Sequence, residues 1–202
     1  MMQRLACFEK IRDARGGAIV VATYTSAFEW HRVDPDPLNF VSVGAMGQAS
    51  SHALGFAIGL PEQKIIVLDG DGSLLMNLST LTTIANAAPK NLVHFLVENG
   101  TYEANGGHPT PAQGTADFAG MALAAGYAEA HAYEGLNQFA ADLPDLLAAP
   151  GPVFAALKVE PVDAPPLNYD YGWLHHADRR REFREAIRPL YMNDRPLLRT
   201  SR

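Results

Sequence analysis

Cysteine is nearly missing from this chain: among its 202 residues only Cys7 carries a thiol. One thiol closes no disulfide framework and builds no cysteine cage for zinc or an iron–sulfur cluster. A reducing cytoplasm is therefore the expected compartment. Long apolar runs are also lacking, the longest falling far short of the ~20 residues that cross a bilayer. Residues 1–15 mix Arg, Glu, Lys and Asp with apolar side chains, unlike a signal peptide, so no membrane role is expected. Excess positive charge is absent as well. Lys plus Arg total 16 against 22 Asp plus Glu, a net charge of −6, which removes the electrostatic basis for binding nucleic acid. The basic run Arg179-Arg180-Arg181 is interrupted by Asp178, Glu182 and Glu185 and reads as a solvated helix face.

What is present suits a full-sized core, with 48% hydrophobic and 19% charged residues. Residues 1–202 are expected to form one α/β domain with a tail over 161–202. Leu5, Phe8 and Ile11 recur at helical spacing and predict a helix over 3–14. Further helices are expected over 47–59, 74–87, 116–125, 136–147 and 177–188. Short β-rich runs predict strands over 18–23, 40–43, 64–68, 92–97, 128–133 and 153–159. Residues 103–114 read as a functional loop. Strands without alternation, most of them followed by a helix, indicate a parallel sheet with helices on both faces. In such sheets ligands bind at the carboxyl ends of the strands. Two polar turns, 69–73 and 98–102, fall there.

In the first turn Asp69 and Asp71 alternate with Gly70 and Gly72. Gly72 and Ser73 open a helix, whose free N–H groups favour a phosphate. Asp71 is a hard oxygen ligand suited to Mg²⁺. Taken alone, the turn is equally well a helix N-cap. Asn99 follows Asp71 after one helix and one strand. Its amide oxygen and the Thr101 carbonyl would complete the protein side of a Mg²⁺ shell. A plain Asn-Gly turn is the alternative.

Gly70-Asp-Gly-Ser73 followed by Glu98-Asn-Gly-Thr-Tyr102 resembles the signature of thiamine diphosphate-dependent decarboxylases. Gly44-Ala-Met-Gly47 is similar to the segment that holds the aminopyrimidine ring, and Thr23-Tyr-Thr-Ser-Ala27 to the diphosphate loop. The resemblance spans about residues 18–160. It implies the diphosphate-binding domain of that family, with thiamine diphosphate and Mg²⁺ as cofactors. By position it implies Asp71 and Asn99 as Mg²⁺ ligands through their side chains and Thr101 through its carbonyl. Thr25, Ser26, Gly72, Ser73 and the Tyr102 amide would hold the diphosphate. The Gly44 carbonyl would accept a hydrogen bond from the 4′-amino group, and Met46 would wedge between the two rings. Where the family often has Gly, this chain has Tyr24, which bears on the loop geometry.

The family also uses a Glu on the aminopyrimidine, carried by a separate pyrimidine domain. The resemblance therefore implies a partner α-type subunit that supplies it, in a hetero-oligomer with two or more copies of each chain. Met46-Gly-Gln-Ala-Ser-Ser51 and Asp69-Gly-Asp-Gly-Ser-Leu-Leu-Met-Asn77 are similar to the sulfopyruvate decarboxylase β subunit and the phosphonopyruvate decarboxylase C-terminal domain. Those enzymes resemble Thr-Ser-Arg-Glu-Leu where this chain reads Thr25-Ser-Ala-Phe-Glu-Trp30. Without that Arg a less charged 2-oxo acid is the expected substrate, with Arg32 a stand-in of lower standing than a solvated surface charge. His108 is a candidate proton donor to the reacting carbon after CO₂ leaves, and His175-His176 a candidate lid. A carboligase and a non-catalytic cofactor-binding regulatory subunit are the alternatives to a decarboxylase yielding an aldehyde.

Overall fold

A computed structural model describes residues 1–162 and 170–194. Its centre is a six-stranded parallel sheet built from β1 (Ile19–Thr23), β2 (Asn39–Val43), β3 (Ile65–Gly70), β4 (Leu92–Glu98), β7 (Glu129–Tyr133) and β8 (Val153–Lys158). Across the sheet the order is β2-β1-β3-β4-β8-β7. The inner strands are buried on both faces, which explains why their sequences run apolar without alternating. Successive residues of β1 still divide between two cores. Val20 and Ala22 meet Phe8, Ile11, Trp30 and Phe139 on one side. Ile19 and Val21 meet Ala53, Leu81, Phe118 and Phe183 on the other. Helices α1 (Arg4–Ala14), α2 (Tyr24–Val33) and α7 (Leu136–Ala148) cover the first face. Helices α3 (Ala49–Gly59), α5 (Thr80–Ala87), α6 (Phe118–Ala125) and α9 (Ala177–Asp194) cover the second.

The strand order positions the site. The neighbouring strands β2, β1, β3 and β4 point the same way, so their carboxyl ends release residues 44–47, 24–26, 71–73 and 99–102 along one edge. That edge is where a doubly covered parallel sheet opens to ligands.

Four expectations needed correction. The segment 74–87 is not one helix but α4 (Asp71–Leu75) and α5, joined by a turn over 76–79. Asn77, Ser79 and Thr80 cause the break. The Asn77 amide is drawn to the Gly47 carbonyl at 2.9 Å, and the Ser79 hydroxyl bonds the Asn77 side chain at 3.0 Å. Such short polar side chains compete with the helical ladder. Residues 24–33, expected only to begin with a diphosphate loop, form α2, and Thr25 and Ser26 lie in its first turn. The loop 103–114 is partly ordered by a 3-10 turn (Glu103–Asn105) and by the pairing of β5 (Thr101–Tyr102) with β6 (His108–Pro109). The C-terminal helix, expected over 177–188, runs as α9 (Ala177–Asp194) and docks Phe183 against Phe40 and Phe56 at 5.1 and 5.2 Å. The expected break over 161–166 lies largely outside the described residues. Among the described residues no helix is long and apolar enough to cross a membrane.

Candidate cofactor and metal site

The strand ends line a small, partly open cleft. Thr25, Ser26, Met46, Asp71, Gly72, Ser73, Asn99, Thr101 and Tyr102 all line it, so nine of the ten residues singled out for cofactor binding converge there. The tenth, Gly44, is not in its wall. A Cβ there would lie 3.2 Å from the His175 ring, so the C-terminal segment reaches back over the end of β2. That segment is pinned by Trp173 of α8 (Tyr171–Leu174), whose ring takes the Arg179 guanidinium at 4.6 Å and meets the His31 ring at a tilt, with centroids 4.4 Å apart. His176 is exposed and pairs with Asp178. His108 is exposed on β6 and does not line the cleft. Arg32 is also exposed and outside it.

The two polar turns are tied to each other by Asp71. Its Oδ1 accepts the Gly72 N–H and its Oδ2 the Gly100 N–H, both at 2.7 Å. The Asn99 Oδ1 accepts the Thr101 N–H at 2.8 Å, closing the second turn on itself. Met46 is fixed through its neighbour. The Ser73 hydroxyl accepts the Gly47 N–H at 2.8 Å while Asn77 holds the Gly47 carbonyl. Gly47 sits at φ +82° with the Asn77 Cβ only 2.9 Å from where a Cβ would be, so glycine alone suits it. At Gly72 a Cβ would come within 2.5 Å of the Tyr102 ring, and the missing side chain lets the two turns close on each other.

Tyr24 stands at φ +47°, the left-handed region that favours glycine. The turn thus keeps a glycine-type backbone with a tyrosine in place, and the departure noted in the sequence is conformationally absorbed.

Burial pushes the Asp71 carboxyl up to about 6, offset in part by its two backbone N–H bonds and reinforced by the charges of Glu98 and Glu103. Arg4 is the only Lys or Arg among the described residues lining the cleft, and it is already occupied. Its guanidinium makes a two-pronged pair with Glu29 and a 2.6 Å bond to Glu103. Behind the turn, Asp69 and His94 are both fully buried, with Oδ2 and Nε2 facing each other at 3.9 Å and neither hydrogen-bonded. Burial raises Asp69 to about 7 and lowers His94 to about 3. Arg4, Glu29, Glu103 and Asn77 were given no role in the site by the sequence. Arg4 is bonded to residues 25 and 99 positions away, a relation no local pattern carries.

A model of the thiamine pyrophosphate enzyme, C-terminal TPP binding domain, matches residues 21–157. The chain belongs to this family. The phosphonopyruvate decarboxylase of Streptomyces viridochromogenes is 36% identical over 160 residues, 78% of this chain and 40% of that protein. The sulfopyruvate decarboxylase subunit beta of Methanothermobacter thermautotrophicus is 34% identical over 175 residues, 84% of this chain and 90% of that one. The chain thus spans about two fifths of the phosphonopyruvate decarboxylases it matches but nearly the whole of that beta subunit. In fold it is similar to a candidate thiamin diphosphate-dependent enzyme from Mycobacterium smegmatis, with TM-score 0.67 and 22% identity over 80% of this chain and 32% of the other.

The donor set of this TPP-binding domain suits its cofactor in a specific way. A bare diphosphate would meet Asp71 and Glu103 with Arg4 already neutralised, an unfavourable like-charge encounter. A hard dication beside Asp71 reverses that sign, and the oxygens of Asp71, Asn99 and Thr101 are the donor types Mg²⁺ takes together with phosphate oxygens.

Proposed function

We propose that this chain is the diphosphate-binding subunit of a two-chain, thiamine diphosphate- and Mg²⁺-dependent 2-oxo acid decarboxylase that yields an aldehyde and CO₂. On this reading residues 1–202 act as one domain, with 161–202 as its tail, in the cytoplasm. The observation that carries the reading is the convergence of two turns and a helix N-terminus in one cleft, with a buried carboxylate at its centre that pairs with no cation among the described residues. Thiamine diphosphate, when bound, supplies the electron sink that accepts the bonding pair as CO₂ departs.

The chain's own residues bind and orient. Asp71 and Asn99 hold Mg²⁺ through side-chain oxygens and Thr101 through its carbonyl. Thr25 and Ser26 from the start of α2, with Gly72, Ser73 and the Tyr102 amide, hold the diphosphate oxygens. Met46, braced through Gly47, would wedge between the rings of the bound cofactor, and the Gly44 carbonyl would accept a hydrogen bond from its amino group.

Among the described residues the acids lining the cleft are Asp71 and Glu103, the first assigned to the metal and the second bonded to Arg4. On this reading the carboxylate that the family resemblance places on the aminopyrimidine comes from a pyrimidine-domain partner, in a hetero-oligomer with at least two of each chain. The beta-subunit relative supports this organisation. With Arg32 outside the cleft and Arg4 neutralised, the substrate is a small 2-oxo acid without a second strong anion. A proton-donating role for His108 requires the β5–β6 hairpin to swing over the cleft.

A tagged chain purified from its native host, followed by native mass spectrometry and a 2-oxo acid panel, tests this. A second chain, bound thiamine diphosphate and release of CO₂ with an aldehyde support it. An acyloin product makes the enzyme a carboligase. A chain that emerges alone and binds no cofactor when Mg²⁺ and thiamine diphosphate are supplied overturns the reading.

A further inference from the structure

We propose that Arg4 is a positioning residue that sets the spacing between the two walls of the cofactor cleft. The inference rests on the cleft holding a metal-bound diphosphate. One wall is the first turn of α2, which carries Thr25 and Ser26. The other is the segment Thr101–Tyr102, which runs directly into Glu103. Arg4 joins them. Its Nε and Nη2 grip both oxygens of Glu29, one helical turn beyond Thr25 and Ser26 on the same helix. Its Nη1 bonds Glu103 Oε2 at 2.6 Å. The other Glu103 oxygen accepts the Val162 N–H at 3.2 Å. Arg4 and Glu103 are 5% and 4% exposed and Glu29 8%, so the three charges are locked in protein rather than in water.

The geometry explains why a fixed spacing matters. A Mg²⁺–diphosphate unit would be held from both walls at once, with hydroxyls on α2 available to phosphate oxygens and the Thr101 carbonyl to the metal. Mg²⁺ demands near-ideal geometry at about 2.0–2.1 Å, so a small change in wall separation breaks contacts on one side. A planar guanidinium that pairs in two-pronged fashion fixes distance and angle better than a point charge. The N-terminal helix α1 thereby contributes to a site whose other parts come from strand ends far along the chain.

The test compares Arg4→Lys, Glu103→Gln and the neutral triple Arg4→Met/Glu29→Gln/Glu103→Gln in the complex as purified from its host. Readouts are thermal midpoint without cofactor and the Kd of thiamine diphosphate at saturating Mg²⁺. The triple variant removes the buried charges together and so avoids stranding a lone charge. Glu103→Gln keeps the Arg4–Glu29 pair and loosens only the bridge. The expected result is a thermal midpoint near wild type for Glu103→Gln and the triple, with Kd raised at least tenfold in both. Arg4→Lys, which keeps the charge but not the two-pronged geometry, should also raise Kd, with a smaller effect on the thermal midpoint than on affinity. Wild-type affinity in Glu103→Gln or in a folded triple variant overturns the inference, as does a Kd that changes only in proportion to lost stability. Wild-type protein that binds no thiamine diphosphate at all would instead overturn the reading of the cleft.

Discussion

Replacing Asp71 by Asn isolates the buried carboxylate at the centre of the site. In the metal-free chain this carboxyl is raised from 3.8 to about 6 by burial. The folded state therefore holds a proton that the unfolded chain has released, and its stability falls as pH rises from about 4 to 6. At pH 7.5 an ionised Asp71 costs about 3 kcal/mol, at roughly 1.4 kcal/mol for each tenfold change in its ionisation equilibrium. Asn removes that cost. Against this, its Nδ2 would face the Gly100 N–H now bonded to Oδ2, stranding a donor at about 1–3 kcal/mol. The metal-free variant should thus lie within about 2 kcal/mol of wild type at pH 7.5, and lose about 1.4 kcal/mol relative to wild type on going to pH 5, where the folded wild type is largely protonated. Asp69 and His94 do not disturb the comparison. Over most of this window the pair holds one proton whether folded or unfolded, because burial raises Asp69 and lowers His94.

The ligand response should separate the proteins completely. At a hundred times Kd, a ligand stabilises by about 2.7 kcal/mol, roughly 5–11 °C for a chain of this size. Differential scanning fluorimetry with Mg²⁺ and thiamine diphosphate, at pH 5 and 7.5, should give that gain for wild type, larger at the higher pH, and none for Asp71→Asn. An equal gain in the variant would refute Asp71 as a metal ligand. A variant that grows less stable relative to wild type as pH rises would refute the burial argument.

Gly72→Ala should push the Tyr102 ring aside, costing about 1–3 kcal/mol and weakening cofactor affinity at least tenfold by titration; retention of wild-type affinity would show the ring has room to move. Tyr24→Gly should relieve about 1–2 kcal/mol of left-handed strain but lose about 0.5–1 kcal/mol to unfolded-state entropy, so cofactor affinity should stay near wild type while the thermal midpoint moves by a few degrees at most. Phe183→Ala should cost about 3–5 kcal/mol where its burial stabilises α9, seen as early proteolysis within residues 177–194 while the sheet still melts near its original midpoint; uniform destabilisation would mean α9 and the sheet unfold together.

The sheet was legible because its strands are buried on both faces, so Ile65–Leu68 and, His94 apart, Leu92–Val97 run apolar up to a polar turn. The same feature located the site, since Asp71 and Asn99 stand where neighbouring strands end. Helix α2 was not legible because its opening residues Tyr24-Thr-Ser26 favour extended or turn conformations, and its helicity is imposed by packing of Phe28 and Trp30. The break at residues 76–79 was hidden because Asn77 acts through Gly47, 30 positions earlier. The Arg4–Glu29–Glu103 network was hidden for the same reason, since its pairs join α1, α2 and the loop after β5.

The most direct test is a crystal structure of the chain, with whatever partner accompanies it, grown with thiamine diphosphate and Mn²⁺ in place of Mg²⁺. The account expects an anomalous peak bonded to the side-chain oxygens of Asp71 and Asn99, the Thr101 carbonyl and two diphosphate oxygens, with Met46 between the rings. Diphosphate bound without a metal, or a metal bound away from Asp71 and Asn99, would contradict it.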